Sequence, residues 1–200
     1  MDKKTVTTIS YLSRLKIDAE KEEKILTHIS NFRPLKRILD VISIFEGVQQ
    51  KIKSKLMMVG EGPEKEKAIQ YVNRNGLENQ VLFLGNSNEI DKILCYSDLF
   101  LLPSEKESFG LSALEAMAHG VPVISSNAGG IPEVNTHGET GYLSQVGDTD
   151  SMVLNALLLL QNESQHKRFK RQAQLKAEKF NLNIVVDQYE KIYVDAIETI

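Results

Sequence analysis

Residues 99–126 read LFLLPSEKESFGLSALEAMAHGVPVISS and place two apolar runs on either side of a helical pattern. Leu99–Leu102 and Val121–Ser125 are short and largely apolar, which is typical of strands covered on both faces of a parallel sheet. Gly110–His119 carries its apolar residues at helical spacing. The stretch therefore predicts a strand, a crossover helix and a second, parallel strand.

The same alternation extends in both directions along the chain. We predict strands at Ile25–Ile29, Leu56–Val59, Val81–Leu84, Leu99–Leu102, Val121–Ser125 and Gly141–Leu143. We predict helices at Leu35–Ile52, Glu64–Asn73, Glu89–Tyr96, Gly110–His119 and, toward the carboxyl terminus, roughly 150–161, 164–180 and 184–199. The fold class is therefore α/β, a doubly wound parallel sheet of about six strands with helices on both faces.

Length and composition bound the domain organisation and the function classes. The 200 residues fit one domain at 24–200, with closing helices from about 164, preceded by a linker or extension at 1–23. The net charge of −3 gives no general attraction to nucleic acid or anionic lipid, so no nucleic-acid partner is expected. A single cysteine, Cys95, excludes an internal disulfide and a cysteine-based zinc site, and its helical position predicts a small core residue.

The amino terminus has no apolar signal-peptide core, and the longest apolar runs fall far short of the ~20 residues that span a bilayer. We therefore expect no membrane span and a cytoplasmic location.

Ligands of doubly wound sheets bind beyond the carboxyl ends of the strands, so the residues that follow each strand are the candidates. After the first strand, Arg33 and Lys36 lie near a predicted helix start, where amide groups favour an anion; a solvated basic loop is an equal alternative. After the second strand, Gly60 and Gly62 either let the backbone approach a ligand or simply form a tight turn.

The segment after the fourth strand is the most informative. A helix that begins near Ser108–Gly110 directs free amide groups at the crevice and can hold a phosphate. Glu107 and Glu115 flank that point, and carboxylates accept strong hydrogen bonds from sugar hydroxyls. The alternative is a favourable helix-terminal charge and a surface residue. After the fifth strand, Gly129 and Gly130 predict flexible backbone beside the same crevice.

The segment Glu107–Glu115 resembles the E-x7-E signature of family-four retaining glycosyltransferases of the two-domain GT-B type. Further blocks match the family in order, at Val59–Pro63, Phe83–Gly85, Gly120–Val123, Gly129–Glu133 and Gly138–Tyr142. The resemblance covers about residues 24–200 and implies a Rossmann-like, carboxyl-terminal donor-binding domain. Ile29–Arg33 and Glu105–Gly110 are most similar to members that transfer N-acetylglucosamine from UDP-GlcNAc to L-malate in bacillithiol biosynthesis.

The resemblance also implies residue roles. Lys36 would bind the donor diphosphate, Arg33 would supply the charge that the family places where Asn31 stands here, and Glu107 would contact the transferred sugar. Glu115 would bind the ribose hydroxyls. The remaining donor-binding candidates are the backbone of Ser108, Phe109, Gly110 and Leu111 at the diphosphate, the strand end at Leu84 and Gly85 beside the uracil, and the turn at Gly60 and Gly62.

In this family the leaving phosphate is thought to take the acceptor's proton, so neither a protein nucleophile nor a metal or other cofactor is expected. Asp148–Asp150 spells a D-x-D string, but its position before a helix favours capping over metal binding. GT-B enzymes use two domains, so the amino-terminal acceptor domain is expected to be missing here. We therefore expect this chain to bind UDP or UDP-GlcNAc weakly and not to transfer sugar alone.

The last predicted helix carries an apolar stripe, formed by Tyr189, Ile192, Tyr193 and Ile197. Part of it would be exposed without the missing domain, with homo-oligomerisation as one outcome.

Other functions compete with this interpretation. The alternatives are a family-four hexosyltransferase with a glycolipid or polysaccharide acceptor, and a non-catalytic nucleotide-binding module. A nicotinamide-dependent dehydrogenase is disfavoured because no G-x-G-x-x-G follows the first strand. A phosphoryl-transfer NTPase is excluded because G-x-x-x-x-G-K-[ST] is absent.

Overall fold

The computed structural model describes residues 23–198, and nearly all of the 1–23 extension lies outside that range. Within it, six parallel strands form one sheet in the order β3-β2-β1-β4-β5-β6. The strands are β1 Lys24–Ile29, β2 Ser54–Val59, β3 Val81–Gly85, β4 Leu99–Leu102, β5 Val123–Ser126 and β6 Gly141–Ser144. The predicted doubly wound, Rossmann-like α/β fold is confirmed.

Helices connect the strands and close the chain. They are α1 Ile38–Gln49, α2 Lys65–Arg74, α3 Ile90–Cys95, α4 Leu111–Ala118, α5 Ile131–Val134, α6 Thr149–Gln161, α7 Glu163–Glu178 and α8 Leu182–Glu198. A 3₁₀ turn at Pro34–Lys36 precedes α1. The short α5 was not predicted, since four residues give no measurable periodicity.

Burial on both faces explains why the strands are continuously apolar. Successive side chains of a strand point to opposite faces, so Leu99 and Leu101 join the core beneath α1 and α6, whereas Phe100 and Leu102 pack with α4. All four are fully buried. Burying each such side chain is worth about 1.5–3 kcal/mol, so β4 anchors the sheet at its centre.

The predicted helix at Leu35–Ile52 is wrong at its start. Pro34 does begin a helical turn, but Arg37 has a φ of +51°, in the left-handed region, and interrupts it before α1 begins at Ile38. The Arg37 guanidinium donates to Asp40 Oδ2 at 2.6 Å, which holds this conformation. As a result, Lys36 lies on a separate short turn and not within a long helix.

Two surface features bear on the expectations above. Cys95 is exposed at the end of α3, so its prediction as a core residue is wrong. On α8, Ile192, Tyr193 and Ile197 are exposed, as predicted for part of the apolar stripe, while Tyr189 lies outside the described side chains. Across residues 23–198 we find no helix with the length and apolar character needed to cross a bilayer.

Candidate functional site

The order of the strands fixes where a crevice opens. The chain proceeds outward from β1 to β2 and β3 on one side, then returns to β4 and continues to β5 and β6 on the other. The connections leaving the carboxyl ends of β1 and β4 therefore diverge, and ligands of doubly wound sheets bind at this point. The loops that border it are residues 30–37 after β1 and residues 103–110 after β4.

Two adjoining cavities occupy the crevice and share Asn31, Lys36, Glu107 and Ser108 in their walls. The first, of about 460 Å³, also contacts Arg33, Leu35, Lys106 and Gly129. The second, of about 420 Å³, also contacts Ile29, Ser30, the segment Phe109–Ser112 and Glu115. These volumes fall in the range of small-molecule sites. Most residues that the sequence assigned to the diphosphate, the ribose and the sugar are thus brought together.

An ion pair links the two loops. The Lys36 ammonium donates to Glu107 Oε1, and the side chains are only 16% and 10% exposed. A backbone hydrogen bond of 2.8 Å from the Glu105 N–H to the Leu35 carbonyl lies beside it. Lys36 and Glu107 are 71 positions apart, and the sequence assigned both to the sugar donor. They contact each other directly where the two cavities meet.

Helix α4 begins at the wall of the second cavity. Its N-cap is Gly110, with a φ of +93°, and no side chain of the described residues caps it. The same holds for α1, α2, α3 and α5, whereas Asp148 caps α6 and Asn162 caps α7. The first amides of a helix have no partner within the helix, so those of α4 are left to bind an anion. Glu107 and the exposed Glu115 flank them along the same cavity.

The Gly129–Gly130 pair, which the sequence analysis placed beside the crevice, packs against the segment that carries Glu107. The Gly130 N–H donates to the Glu107 carbonyl at 3.0 Å. A Cβ on Gly129, whose φ is +56°, would lie 1.9 Å from that same carbonyl oxygen. Only glycine permits this close approach, which fixes the backbone at Glu107.

A buried histidine that the site prediction omitted contacts Ser30, which lines the second cavity. His28 Nδ1 lies 2.8 Å from the Leu101 carbonyl and must donate to it, which leaves Nε2 to accept from Ser30 Oγ at 2.8 Å. Ser30 Oγ in turn accepts the Phe32 N–H at 3.2 Å. Burial lowers the pKa of His28 to about 4, so the ring is neutral near pH 7 and orders the loop after β1.

Gly60 and Gly62 approach protein backbone. A Cβ on either would lie within about 2 Å of the Ser30 or Asn31 carbonyl oxygen, because the turn after β2 packs against the loop after β1. Gly85 at the end of β3 accepts the Gly60 N–H at 2.8 Å, and Leu84 precedes it. These four predicted donor-binding residues lie at the ends of β2 and β3 and do not line the two cavities.

The D-x-D string caps a helix, as the sequence indicated. The Asp148 carboxylate accepts the Ser151 N–H at 3.1 Å. Hydrogen bonding with the Ser151 side chain, and then with its backbone N–H, lowers the pKa of Asp148. Within the described range we find no group of three or more His, Cys, Asp or Glu side chains that could hold a metal ion.

Comparison with known proteins agrees with the fold and the motifs. Residues 12–176 match the family described as glycosyl transferases group 1, and the chain belongs to that family. A curated relative is the N-acetyl-alpha-D-glucosaminyl L-malate synthase of Bacillus anthracis, with 48% identity over 176 residues, which are 88% of this chain and 46% of that protein. The chain thus spans about half the length of this relative.

Solved structures show the same fold. A point mutant of TarM from S. aureus, in complex with fondaparinux, alpha-GlcNAc-glycerol and UDP, superposes with a TM-score of 0.80 at 27% identity over 88% of this chain and 36% of that chain. Anabaena HepE in complex with UDP and glucose superposes with a TM-score of 0.85 over 95% of this chain and 52% of that chain, at 23% identity.

Proposed function

We propose that this chain is the donor-binding half of a retaining glycosyltransferase that transfers N-acetylglucosamine from UDP-GlcNAc to L-malate. The observation that carries the proposal is the meeting of Lys36, Glu107 and Glu115 around the uncapped amino end of α4 at the strand-order reversal. The 48% identity to the malate synthase supports this donor and acceptor over other members of the family.

In this proposal the diphosphate of UDP lies at the amides of Ser108, Phe109, Gly110 and Leu111. Backbone amides at a helix end favour an anion without requiring a positive side chain. Lys36 lies at the wall of the same cavity and adds a positive charge, and Arg33 adds a second from the neighbouring cavity. The protein itself thus neutralises the negative charge of the diphosphate, so the proposal includes no metal or other cofactor.

The two carboxylates recognise hydroxyl groups on either side of the diphosphate. Glu115 would accept from the ribose and Glu107 from the transferred sugar, and both line the second cavity. The uracil would extend toward the ends of β2 and β3, where Gly60, Gly62, Leu84 and Gly85 lie.

The chemical step follows from the charges. Breaking the bond between the sugar and the phosphate leaves negative charge on UDP and positive charge on the anomeric carbon. Helix amides and Lys36 would stabilise the leaving group in place, and such fixed electrostatic groups supply much of enzymatic rate enhancement. The leaving phosphate accepts the proton of the acceptor hydroxyl, so no side chain acts as nucleophile. We propose that a second domain binds the acceptor, as in GT-B enzymes.

Isothermal titration of the chain with UDP, UDP-GlcNAc, UDP-glucose and GDP-mannose tests the donor. We expect binding of UDP and UDP-GlcNAc, weaker binding of GDP-mannose, and loss of affinity in Lys36→Ala. Lys167→Ala is a matched control, because Lys167 is exposed on α7 and pairs with Glu163 one helical turn away. Absence of UDP binding would overturn the proposal, and transfer to L-malate by this chain alone would overturn the need for a second domain.

A further inference from the structure

Ser104 lies directly behind the Glu107 carboxylate. Its side chain is fully buried, immediately after Pro103 at the end of β4, and its Oγ donates to Glu107 Oε1 at 3.1 Å. Its own carbonyl accepts a short hydrogen bond from Ser126 Oγ at the end of β5. The serine is therefore held by two central strands of the sheet and does not depend on a loop for its position.

The two oxygens of the Glu107 carboxylate have different surroundings. Oε1 accepts from both Lys36 Nζ and Ser104 Oγ. Oε2 makes no hydrogen bond within residues 23–198, and it is not one of the buried, unpartnered side-chain atoms there, which are Ser54 Oγ and Gln80 Oε1. Oε2 is therefore open to the cavities that Glu107 lines, with full acceptor capacity.

Two contacts fix Glu107, one at each end of the residue. Its backbone carbonyl accepts the Gly130 N–H, and its carboxylate accepts the Ser104 hydroxyl. Lys36 also contacts the carboxylate, but this cation is the group that a diphosphate would attract. Ser104 carries no charge that a phosphate competes for, so its hydrogen bond holds Glu107 whether or not Lys36 stays in place.

We propose that Ser104 is a positioning residue that turns Glu107 Oε1 inward and thereby presents Oε2 to the hydroxyls of the sugar of a nucleotide sugar. The inference rests on the proposed function, since it names the part of the donor that this carboxylate contacts. It assigns Ser104 an effect on the sugar of the donor and none on the nucleotide.

The test is isothermal titration of UDP and UDP-GlcNAc into the chain and into Ser104→Ala and Ser104→Cys. Cysteine fills nearly the same space with a weaker donor, which keeps the test valid if alanine destabilises the fold. We expect Kd for UDP-GlcNAc to rise by about fivefold to tenfold in both variants, because the lost hydrogen bond weakens the contact with the sugar only through the orientation of Glu107. The Kd for UDP should change by less than about twofold, because that interaction does not involve the sugar.

Ser97→Ala is the matched control. Ser97 is the other buried serine that flanks β4, at the opposite end, and it hydrogen-bonds Thr27 and the Ile93 carbonyl. We expect it to change neither Kd. A selective loss of UDP-GlcNAc affinity in this variant would overturn the proposal, since the effect would then be a general consequence of losing a buried hydroxyl.

A double-mutant comparison separates positioning from structural support. In a Glu107→Ala background, Ser104→Ala should have no further effect on UDP-GlcNAc binding, because the hydroxyl then has no carboxylate to orient. If the Ser104 variants bind UDP and UDP-GlcNAc equally more weakly, or bind both as tightly as the unmodified chain, the proposed role of Ser104 is overturned. The proposed function of the chain is not affected by that result. Absence of UDP binding by the unmodified chain would instead overturn the proposed function and this inference together.

Discussion

The two ends of β4 carry similar residues and use them differently. At the amino end, Ser97 Oγ donates to the Ile93 carbonyl at 3.0 Å and accepts from Thr27 at 2.6 Å. The Asp98 carboxylate accepts a hydrogen bond from the Ile25 N–H. The Asp98 backbone carbonyl accepts one from His166 Nε2. Every one of these polar groups has a partner within the protein.

At the carboxyl end the pairing is incomplete. One oxygen of Glu107, the side chains of Arg33 and Lys106, and the first amides of α4 have no hydrogen-bond or ion-pair partner in the part of the chain that the structure describes. Folded proteins pair nearly all of their buried polar groups. The unpartnered Ser54 Oγ and Gln80 Oε1, at the amino ends of β2 and β3, are buried, whereas the unpaired groups at the carboxyl end of β4 lie around the two cavities. The difference teaches that a missing partner marks a candidate ligand site only where the group faces a cavity.

The largest effect that we predict tests the close backbone contact near the carboxyl end of β4. In Gly129→Ala the new Cβ would lie 1.9 Å from the Glu107 carbonyl at a positive φ, so the segment must move. We expect a loss of about 2–4 kcal/mol in the free energy of unfolding, measured by urea denaturation. Gly138→Ala is the control, because Gly138 also has a positive φ but has no atom within 4 Å of the added Cβ. Its cost should be about 1 kcal/mol, and equal costs would show that the Gly129 contact yields easily.

The pH dependence of stability compares two buried histidines, one near the carboxyl ends of the central strands and one at the amino end of β4. His28 at the carboxyl end has a pKa lowered to about 4 by burial, from 6.5 in the unfolded chain, so between these values the unfolded chain binds more protons. Stability should therefore be full above pH 6.5 and fall as the pH drops toward 4, by up to about 3 kcal/mol at 1.36 kcal/mol per pKa unit.

Burial also lowers the pKa of His166 at the amino end, so this histidine adds to the same loss of stability. Urea denaturation between about pH 7 and pH 4 measures the slope for the unmodified chain, His28→Asn and His166→Asn. We expect the larger flattening in His28→Asn. If the slope is unchanged in that variant, the neutral, buried state of His28 is wrong.

Lys36→Ala tests the charge at the carboxyl end. The ion pair with Glu107 is nearly enclosed, and Lys36 is our predicted diphosphate ligand. We expect Kd for UDP to rise by about tenfold to a hundredfold, because hydrogen bonds to charged groups are worth about 1.5–3 kcal/mol. Titration calorimetry measures it, and the same change in Lys167→Ala would show that net charge alone attracts the nucleotide.

The smallest effect belongs to the amino end. Ser97→Ala removes two buried hydrogen bonds and should lower the free energy of unfolding by about 1–2 kcal/mol while leaving the Kd for UDP unchanged. Urea denaturation and calorimetry on the same preparation give both values. A weakened Kd would mean that the two ends of β4 are coupled, and the contrast between them would fail.

The sequence predicted the sheet and the crevice because both follow from local patterns. Strands such as Leu99–Leu102 are recognisable as continuous apolar runs, and the crossover rules then decide where ligands bind. The E-x7-E segment lies within one loop and helix, so its position at the crevice could also be predicted. Conformations of single residues could not, as the left-handed Arg37 and the exposed Cys95 demonstrate.

Contacts between residues far apart in sequence could not be predicted either. Lys36 and Glu107 are 71 positions apart, and His28 reaches Leu101 across 73, so each contact depends on the pairing of β1 with β4. Likewise, the sequence does not reveal that Gly129 packs against the Glu107 carbonyl. Ser104 gave no signal at all, since a serine after a strand is common in any turn.

The exposed cysteine at the end of α3 has a practical consequence. Cys95 is the only cysteine in the sequence. Helix α3 leads from the carboxyl end of β3 to the amino end of β4, so the exposed thiol at its last residue lies on the side of the sheet where the strands begin, away from the crevice. A maleimide fluorophore would therefore attach at one defined point, without mutagenesis and without obstructing the nucleotide. Immobilisation through the same thiol would orient every molecule with its crevice facing solution.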